Sequence, residues 1–474
     1  MKRYFLFLLI MAAGLQLFAQ EGMIKPPGVD ERVELLSIVF RLAGVHEYND
    51  TIYNAYTNLI KTHYEPFKDH PAIDFARQVR EYNGVGYDAV MFMAIHLDKD
   101  MNPRVPFNDS VPERRWGKED AEKFAVLLRD FYEKSGSRTF FENNRDLYAQ
   151  TSDRFLPVYE KMDFDWYKAF YGKDPDEQFI IVNAPGNGVN NYGPQIRLSD
   201  NRREVYAIIG LWKTDEMGIP VFPVDQYLSL LVHEFNHSFI NYLVDNNREQ
   251  LAQSGEKIFG ITGGMMKQQA YGTWHTMLKE SLVRAAVIKY MKDHNFTPGE
   301  VANETITQMA RGFYWMEDLV KELDCYARQR DTCPTLESYM PRLVLAFEEY
   351  ARNIELYKET FDAKRPRIVS FEGISNGAQN VDPATQTITV HFDREMAGNG
   401  YSLTYGKKGP NHFPKVNNIR YADDKRSIIM DVQLEPGKEY EMVFLGMGFK
   451  STDGYPLENY TLSFITGKEG AEKE

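Results

Sequence analysis

The stretch that most restricts this chain is "DQYLSLLVHEFNHSFINYLV", residues 225–244. It holds neither glycine nor proline, follows Pro220 and Pro223, and opens on Asp225, a residue suited to capping a helix. It predicts a helix of about five turns. Leu231, Val232, Phe235, Phe239 and Ile240 make that helix apolar on most sides, so it should be buried. Yet it also carries His233, Glu234 and His237, and burying three such groups without partners is expensive. Their spacing offers a resolution. His233 and His237 stand four residues apart, one above the other on a helix face, and can share one cation. Glu234 lies about 100° round the helix, placed to reach a water on that ion rather than the ion itself. The plain alternative is an ordinary buried helix that happens to contain histidine.

A catalytic zinc takes three protein ligands and leaves one position open. The third is sought in "YGTWHTMLKESLVRAAVIKY", residues 271–290, another uninterrupted helical pattern. Glu280 shares a face with Met277, Val283 and Val287, so its carboxylate points inward and needs a positive partner. Arg284, four residues on, supplies a simple intrahelical ion pair, or else orients a ligating carboxylate from behind. Asp245 and Glu249 are the competing third ligands, though both follow the histidine helix so closely that folding back onto it is awkward. Tyr271 and His275 are candidate donors to a developing oxyanion, with a structural role as the plain reading of each. Two histidines and a carboxylate also describe a non-haem iron triad, and Glu234 beside His233 favours zinc hydrolysis, with one Zn2+.

Around these helices the chain changes character once. Before residues 361–370, "FDAKRPRIVS", helical spacing dominates, as in "VELLSIVFRLAGV" (33–45), "PAIDFARQVREY" (71–82) and "YMPRLVLAFEEYARNIELY" (339–357). After it come short alternating runs, "QTITVHF", "SIIMDVQL", "YEMVFL" and "YTLSFIT", separated by turn signals such as Pro436-Gly437 and Asp453-Gly454. One further β-rich interval, residues 178–198 and 204–212, stands directly upstream of the histidine helix. The pattern predicts an α+β chain: a mostly helical body with a small sheet over 20–365, an all-β sandwich over 366–467, and a polar tail at 468–474.

The first 19 residues read as a secretory signal peptide: Lys2 and Arg3, then an apolar run, then Ala19 before the cut. With no later apolar stretch long enough to span a bilayer, the expectation is a secreted protein, periplasmic or extracellular. The formal net charge is −13, and removal of Lys2 and Arg3 makes it more negative still, which argues against nucleic acid as a partner. Two cysteines, Cys325 and Cys333, could close a small disulfide loop in an oxidising compartment or stand as separate thiols.

His233, Glu234, His237 and Glu280, as an H-E-x-x-H helix followed by a glutamate on a later helix, resemble the gluzincin group of zincin metallopeptidases. Ile240 stands where metzincins place glycine, which sets that branch aside. The phrases "VDERVELLSIVFRLAGVHEYN", "FIIVNAPGNGVNNYG", "LLVHEFNHSF" and "ESLVRAA" resemble a domain-of-unknown-function family of secreted bacterial zincin-like proteins. The resemblance implies a zincin-type core and a peptidase acting on a peptide or protein. Thermolysin-like gluzincins carry an aspartate four residues after the ligating glutamate, whereas Arg284 stands there, so the surroundings of the ligand differ. The tail, with Phe392, Asp393 and Met396 in an F-D-x-x-M phrase, resembles bacterial immunoglobulin-like domains, which implies a spacer or a contact with a surface partner. A non-catalytic secreted binding protein on the same scaffold is the competing functional reading.

Overall fold

The computed structural model describes residues 24–175 and 177–468. The expected signal peptide, with its cut near Ala19, lies outside the described residues, as does all but the first residue of the polar tail. Two compact units divide the chain: residues up to Phe164 with Asp174–Ser238, and Asp165–Lys173 with Phe239–Glu474.

The first unit builds one sheet from β1 (Ile24–Val29), β2 (Glu177–Asn183), β3 (Gln195–Arg197) and β4 (Arg203–Ile209), in the order β1-β2-β4-β3. β1, β2 and β4 run parallel, and β3 closes one edge antiparallel to β4. The two central strands read as nearly continuous apolar runs, FIIV and VYAII, because parallel strands are covered on both faces. Sequence pattern did not announce β1, whose "IKPPGV" has two residues without an amide donor. It survives as an edge strand, and its register shifts between Lys25 and Gly28, where both prolines sit. The predicted helices near 33–45 and 71–82 form as Glu31–Leu42 and Pro71–Asn83. Asp30 caps the first by accepting from the Arg32 amide, and the second begins on Pro71 and ends at Gly84 with φ 72°.

In the second unit the helices Arg248–Gln268, Trp274–Asp293, Pro298–Ala310, Met316–Ala327 and Leu336–Lys364 precede the strands. The disulfide allowed by the cysteine spacing is absent: Cys325 and Cys333 are free thiols. After Met316–Ala327 the chain turns through backbone hydrogen bonds, the Gln329 amide donating to the Tyr326 carbonyl and the Cys333 amide to the Gln329 carbonyl, and Cys325 Sγ accepts from Arg328 Nη2.

The long helix Leu336–Lys364 leads straight into β5. Arg365 donates to the Pro456 and Leu457 carbonyls, which ties the helix end to the strands that follow. These are β5 (Ile368–Glu372), β6 (Gln379–Val381), β7 (Thr387–Phe392), β8 (Leu403–Tyr405), β9 (Lys415–Tyr421), β10 (Ser427–Gln433), β11 (Glu439–Phe444) and β12 (Tyr460–Thr466). They pair as two sheets, β5-β7-β10-β9 and β6-β12-β11-β8, all antiparallel except β6 with β12. Ile388, Val390, Met430, Met442, Phe444 and Leu462 from both sheets share one core, so the sheets form a sandwich. Phe392 and Met396 of the F-D-x-x-M phrase are buried in that core, while Asp393 accepts from the Arg367 amide. The chain is α+β, and no described helix is long and apolar enough to cross a membrane.

Candidate metal centre

The histidine helix spans Val224–Asn246, beginning one residue before the stretch 225–244, so Asp225 lies in its first turn rather than capping it. It is fixed on the first unit's sheet from both sides of its N-terminal half. Phe235 packs on Phe179 of β2 with ring centroids 4.4 Å apart, and Tyr227 stacks on Trp212 at 4.2 Å while donating to the Gly210 carbonyl. Its burial is one-sided. Leu231, Val232, Phe235 and Asn236 are buried, whereas His233, Glu234, His237 and Ser238 line a half-buried face. The expectation of a helix buried all round is therefore corrected: the polar trio occupies the one strip that solvent reaches.

On that strip the two imidazoles converge. His233 Nε2 and His237 Nε2 are 3.2 Å apart, with the rings nearly perpendicular at 84°. A tetrahedral ion with bonds of about 2.1 Å holds its donors about 3.4 Å apart, so this pair already has the spacing of two ligands on one cation. One ligand atom from each of His233, His237 and Glu280 falls within 4.8 Å of the others. Asp245 and Glu249 are not in that group. The donor set, two imidazoles and one carboxylate, suits Zn2+ and also Fe2+.

Glu234 lies close to a feature that local sequence reading missed. A Cβ added to Gly193 would lie 2.3 Å from Glu234 Oε2, so the missing side chain leaves room for the carboxylate in its present pose beside the backbone after Tyr192. That backbone belongs to the loop "APGNGVNNYG", which runs from β2 to the edge strand β3. At its other end Gly186 donates its amide to Glu34 Oε2 at 3.1 Å, where an added Cβ would meet the same oxygen at 2.6 Å. Glu34 is fully buried, and burial pushes its carboxyl up to about 7. The signal available in the sequence was the density of glycine and asparagine in this loop, which marks turns without saying which side chains the bare backbone meets.

Glu280 sits on the helix Trp274–Asp293, whose Thr273 cap accepts from the Thr276 amide, and only 8% of the residue is exposed. Arg284 Nη2 lies 3.4 Å from Glu280 Oε2 and donates to the Tyr271 hydroxyl at 2.6 Å. Arg284 Nη1 donates to Gln308 Oε1 at 2.9 Å, and the guanidinium packs over the Phe313 ring. Tyr271 precedes the helix rather than starting it, and its hydroxyl is pushed up to about 12, first by burial and then by the Glu280 charge. It stands as a neighbour of Glu280. His275 faces elsewhere: its Nε2 is 3.0 Å from Asp245 Oδ1, and Lys279 Nζ is 2.7 Å from the same oxygen. Burial first, and Lys279 second, hold the His275 imidazole below its ordinary range. This engagement accounts for Asp245, which had been a rival third ligand.

No curated protein matches this chain. Among solved structures, the chain is similar to "Structure of surface layer protein SbsC, domains 1-6" at 15% identity, covering 54% of this chain and 38% of that one, with a TM-score of 0.17. It is similar to "Crystal structure of the S-layer protein rSbsC(31-844)" at 12% identity, covering 85% of this chain and 47% of that one, with a TM-score of 0.18. The chain thus spans less than half the length of either, and at such TM-scores neither likeness carries an argument about fold or role. The family profile is different in kind: it matches residues 28–346, about two thirds of the sequence, taking in the histidine helix, Glu280 and Gln308. The chain belongs to the family described as Domain of unknown function (DUF4932).

Proposed function

We propose that this protein is a secreted zinc-dependent peptidase of zincin type, with His233, His237 and Glu280 as metal ligands and Glu234 as general base. The observation that carries the reading is the convergence of the two imidazoles and the Glu280 carboxylate on one point, with a second carboxylate, Glu234, on the same half-buried face as the histidines. Bound there, Zn2+ would supply Lewis acidity, making a water nucleophilic near neutral pH and polarising a carbonyl. Glu234 takes the proton from the attacking water and returns it to the leaving amine. Gly193, lacking a side chain, leaves room for the Glu234 carboxylate beside the backbone that follows Tyr192, so that its oxygen can sit where that transfer needs it. Arg284 and Tyr271 fix the Glu280 carboxylate from behind. An extended peptide has a place to pair: β3 is an edge strand, with Gln195 and Arg197 exposed and Ile196 buried.

The test is metal content together with hydrolysis of an unfolded protein. The wild-type chain should hold one zinc per molecule and cleave casein. Glu234→Gln should keep the metal and lose about 10²–10⁴-fold in turnover, while His237→Ala should lose the metal itself. A purified protein without metal, or a Glu234→Gln variant as active as wild type, would refute the assignment. Tight metal binding with no hydrolysis of any peptide would instead favour a binding protein on this scaffold.

A further inference from the structure

The helix Pro298–Ala310 buries a single one of its residues, and that residue is an amide, Gln308, 3% exposed. An amphipathic helix ordinarily docks through leucine or valine, and an amide taken out of water must recover its hydrogen bonds. Gln308 recovers them on both sides. Its Oε1 accepts from Arg284 Nη1 at 2.9 Å, and its Nε2 donates to Glu304 one turn earlier. Arg284 is the residue beside Glu280, so the polar contact by which this helix docks ends two residues from the proposed metal.

The arrangement fixes the guanidinium in one pose. Nη1 is held by Gln308, Nη2 by the Tyr271 hydroxyl, and the plane lies over Phe313. Arg311, on the turn that follows the same helix, is held below its ordinary range by burial first and by Arg284 second, so a second cation presses on Arg284. With the Gln308 acceptor removed, a buried guanidinium would face that cation with one bond fewer, and its best recourse would be to turn further onto Glu280. The helix is itself anchored on its exposed side. Its Thr297–Glu300 capping box closes the first turn, Asn303 Oδ1 accepts from Lys450 Nζ at 3.0 Å, and Ile306 reaches to 3.5 Å from the Cβ position of Gly454. It is a strut between the sandwich and Arg284.

We propose that Gln308 is a positioning residue for the metal site, holding Arg284 so that its guanidinium does not turn further onto the Glu280 carboxylate. The proposal rests on the metal-ligand reading above and adds a residue outside the H-E-x-x-H helix and the Glu280 helix. Its test uses the full chain stripped of metal and titrated with Co2+, followed by absorption, and with Zn2+ against a chromophoric chelator. Gln308→Met keeps volume and helix preference but removes the acceptor; Gln308→Asn keeps the amide but shortens its reach. Both should weaken metal affinity by about tenfold or more and alter the Co2+ absorption bands, with far-ultraviolet circular dichroism unchanged. In an Arg284→Met background, Gln308→Met should cause no further loss, because its effect passes through the guanidinium.

The outcomes separate the two layers of inference. Wild-type protein that binds no metal overturns the metal site and this proposal together. Wild-type protein that binds metal, with both Gln308 variants binding equally well, overturns this proposal alone. So does a loss that adds in full to that of Arg284→Met, since a merely structural role would do the same. Should Gln308→Met fail to fold, Gln308→Asn carries the decision.

Discussion

The sandwich and the helical part of the chain handle charge in opposite ways. Between β5 and β12 the buried polar side chains are Ser427, Ser451 and Thr466, and no described acid, lysine or arginine there is buried. Elsewhere Glu34, Glu47, Glu204, Glu280, Arg284 and Lys289 are all buried. Most have an evident partner: Glu47 lies 3.2 Å from Arg80, and Glu204 lies 2.8 Å from Arg104. A buried ion pair is a poor source of stability compared with well-packed apolar residues, so a fold that keeps many of them is spending stability on something else. The sandwich needs only to be folded. The helical part must also hold particular oxygens and nitrogens in particular places, and the proposed metal site, the Glu34 loop anchor and the Gln308 strut are three instances.

The largest effect on stability should come from the sandwich core. Phe444 is fully buried on β11, with its ring 5.6 Å from Phe449 and 6.3 Å from Phe371. Phe444→Ala should lower stability by about 3–5 kcal/mol, through lost transfer energy and the cavity left behind. Because no buried acid or base surrounds it, the loss measured by urea unfolding should be the same at pH 5 and pH 8. A loss that changed with pH would mean that titrating groups are coupled to the sandwich core after all.

Glu34 should show the opposite behaviour. Its carboxyl is raised from 4.5 to about 7, first by burial, and the hydrogen bonds from Tyr56 and the Gly186 amide, followed by the half-buried Arg41, only partly offset that. The folded state therefore holds a proton that the unfolded chain has already released. The stabilising contribution is full below about pH 4.5 and is lost as pH rises through about 7, an effect on the order of 3 kcal/mol. Glu34→Gln keeps an acceptor for the Gly186 amide but does not titrate. Stability measured across pH 4–8 should fall for wild type by about that much more than for the variant; parallel curves would show that Glu34 does not titrate in this range.

The same contrast governs what could be read from the sequence. β7, β10, β11 and β12 were legible because a sandwich buries alternate residues, and the alternation survives in the burial of β7 and β11. β9 was not, since its "KVNNIRY" buries none of its residues fully and shows no apolar beat. The proposed ligand residues could be picked out because two of them share one helix at a spacing fixed by helix geometry, and the third lies on an inward face. Their surroundings were not. Gly193 against Glu234 and Gln308 against Arg284 bring together residues 41 and 24 positions apart, and each depends on how a loop or a helix is docked. The half-buried strip of the histidine helix was misread for a related reason: apolar residues flank it closely, and only the packed structure shows which side they leave open.

The smallest of these effects tests that docking at the site itself. At Gly193 an added methyl would press on the far end of the Glu234 side chain, which can swing away at little energetic cost. Gly193→Ala should therefore leave folding and metal content nearly intact. What it cannot leave intact is the position of the carboxylate, and a displacement of about 1 Å at a proton-transferring group is enough to slow the chemistry by about 10²-fold. The decrease should fall on kcat with KM little changed, and Glu234→Gln in the same background should add less than it does alone, because both changes strike one proton transfer. If Gly193→Ala turned over peptide at the wild-type rate while Glu234→Gln did not, the base would be doing its work from another rotamer, and the loop would be packing without function.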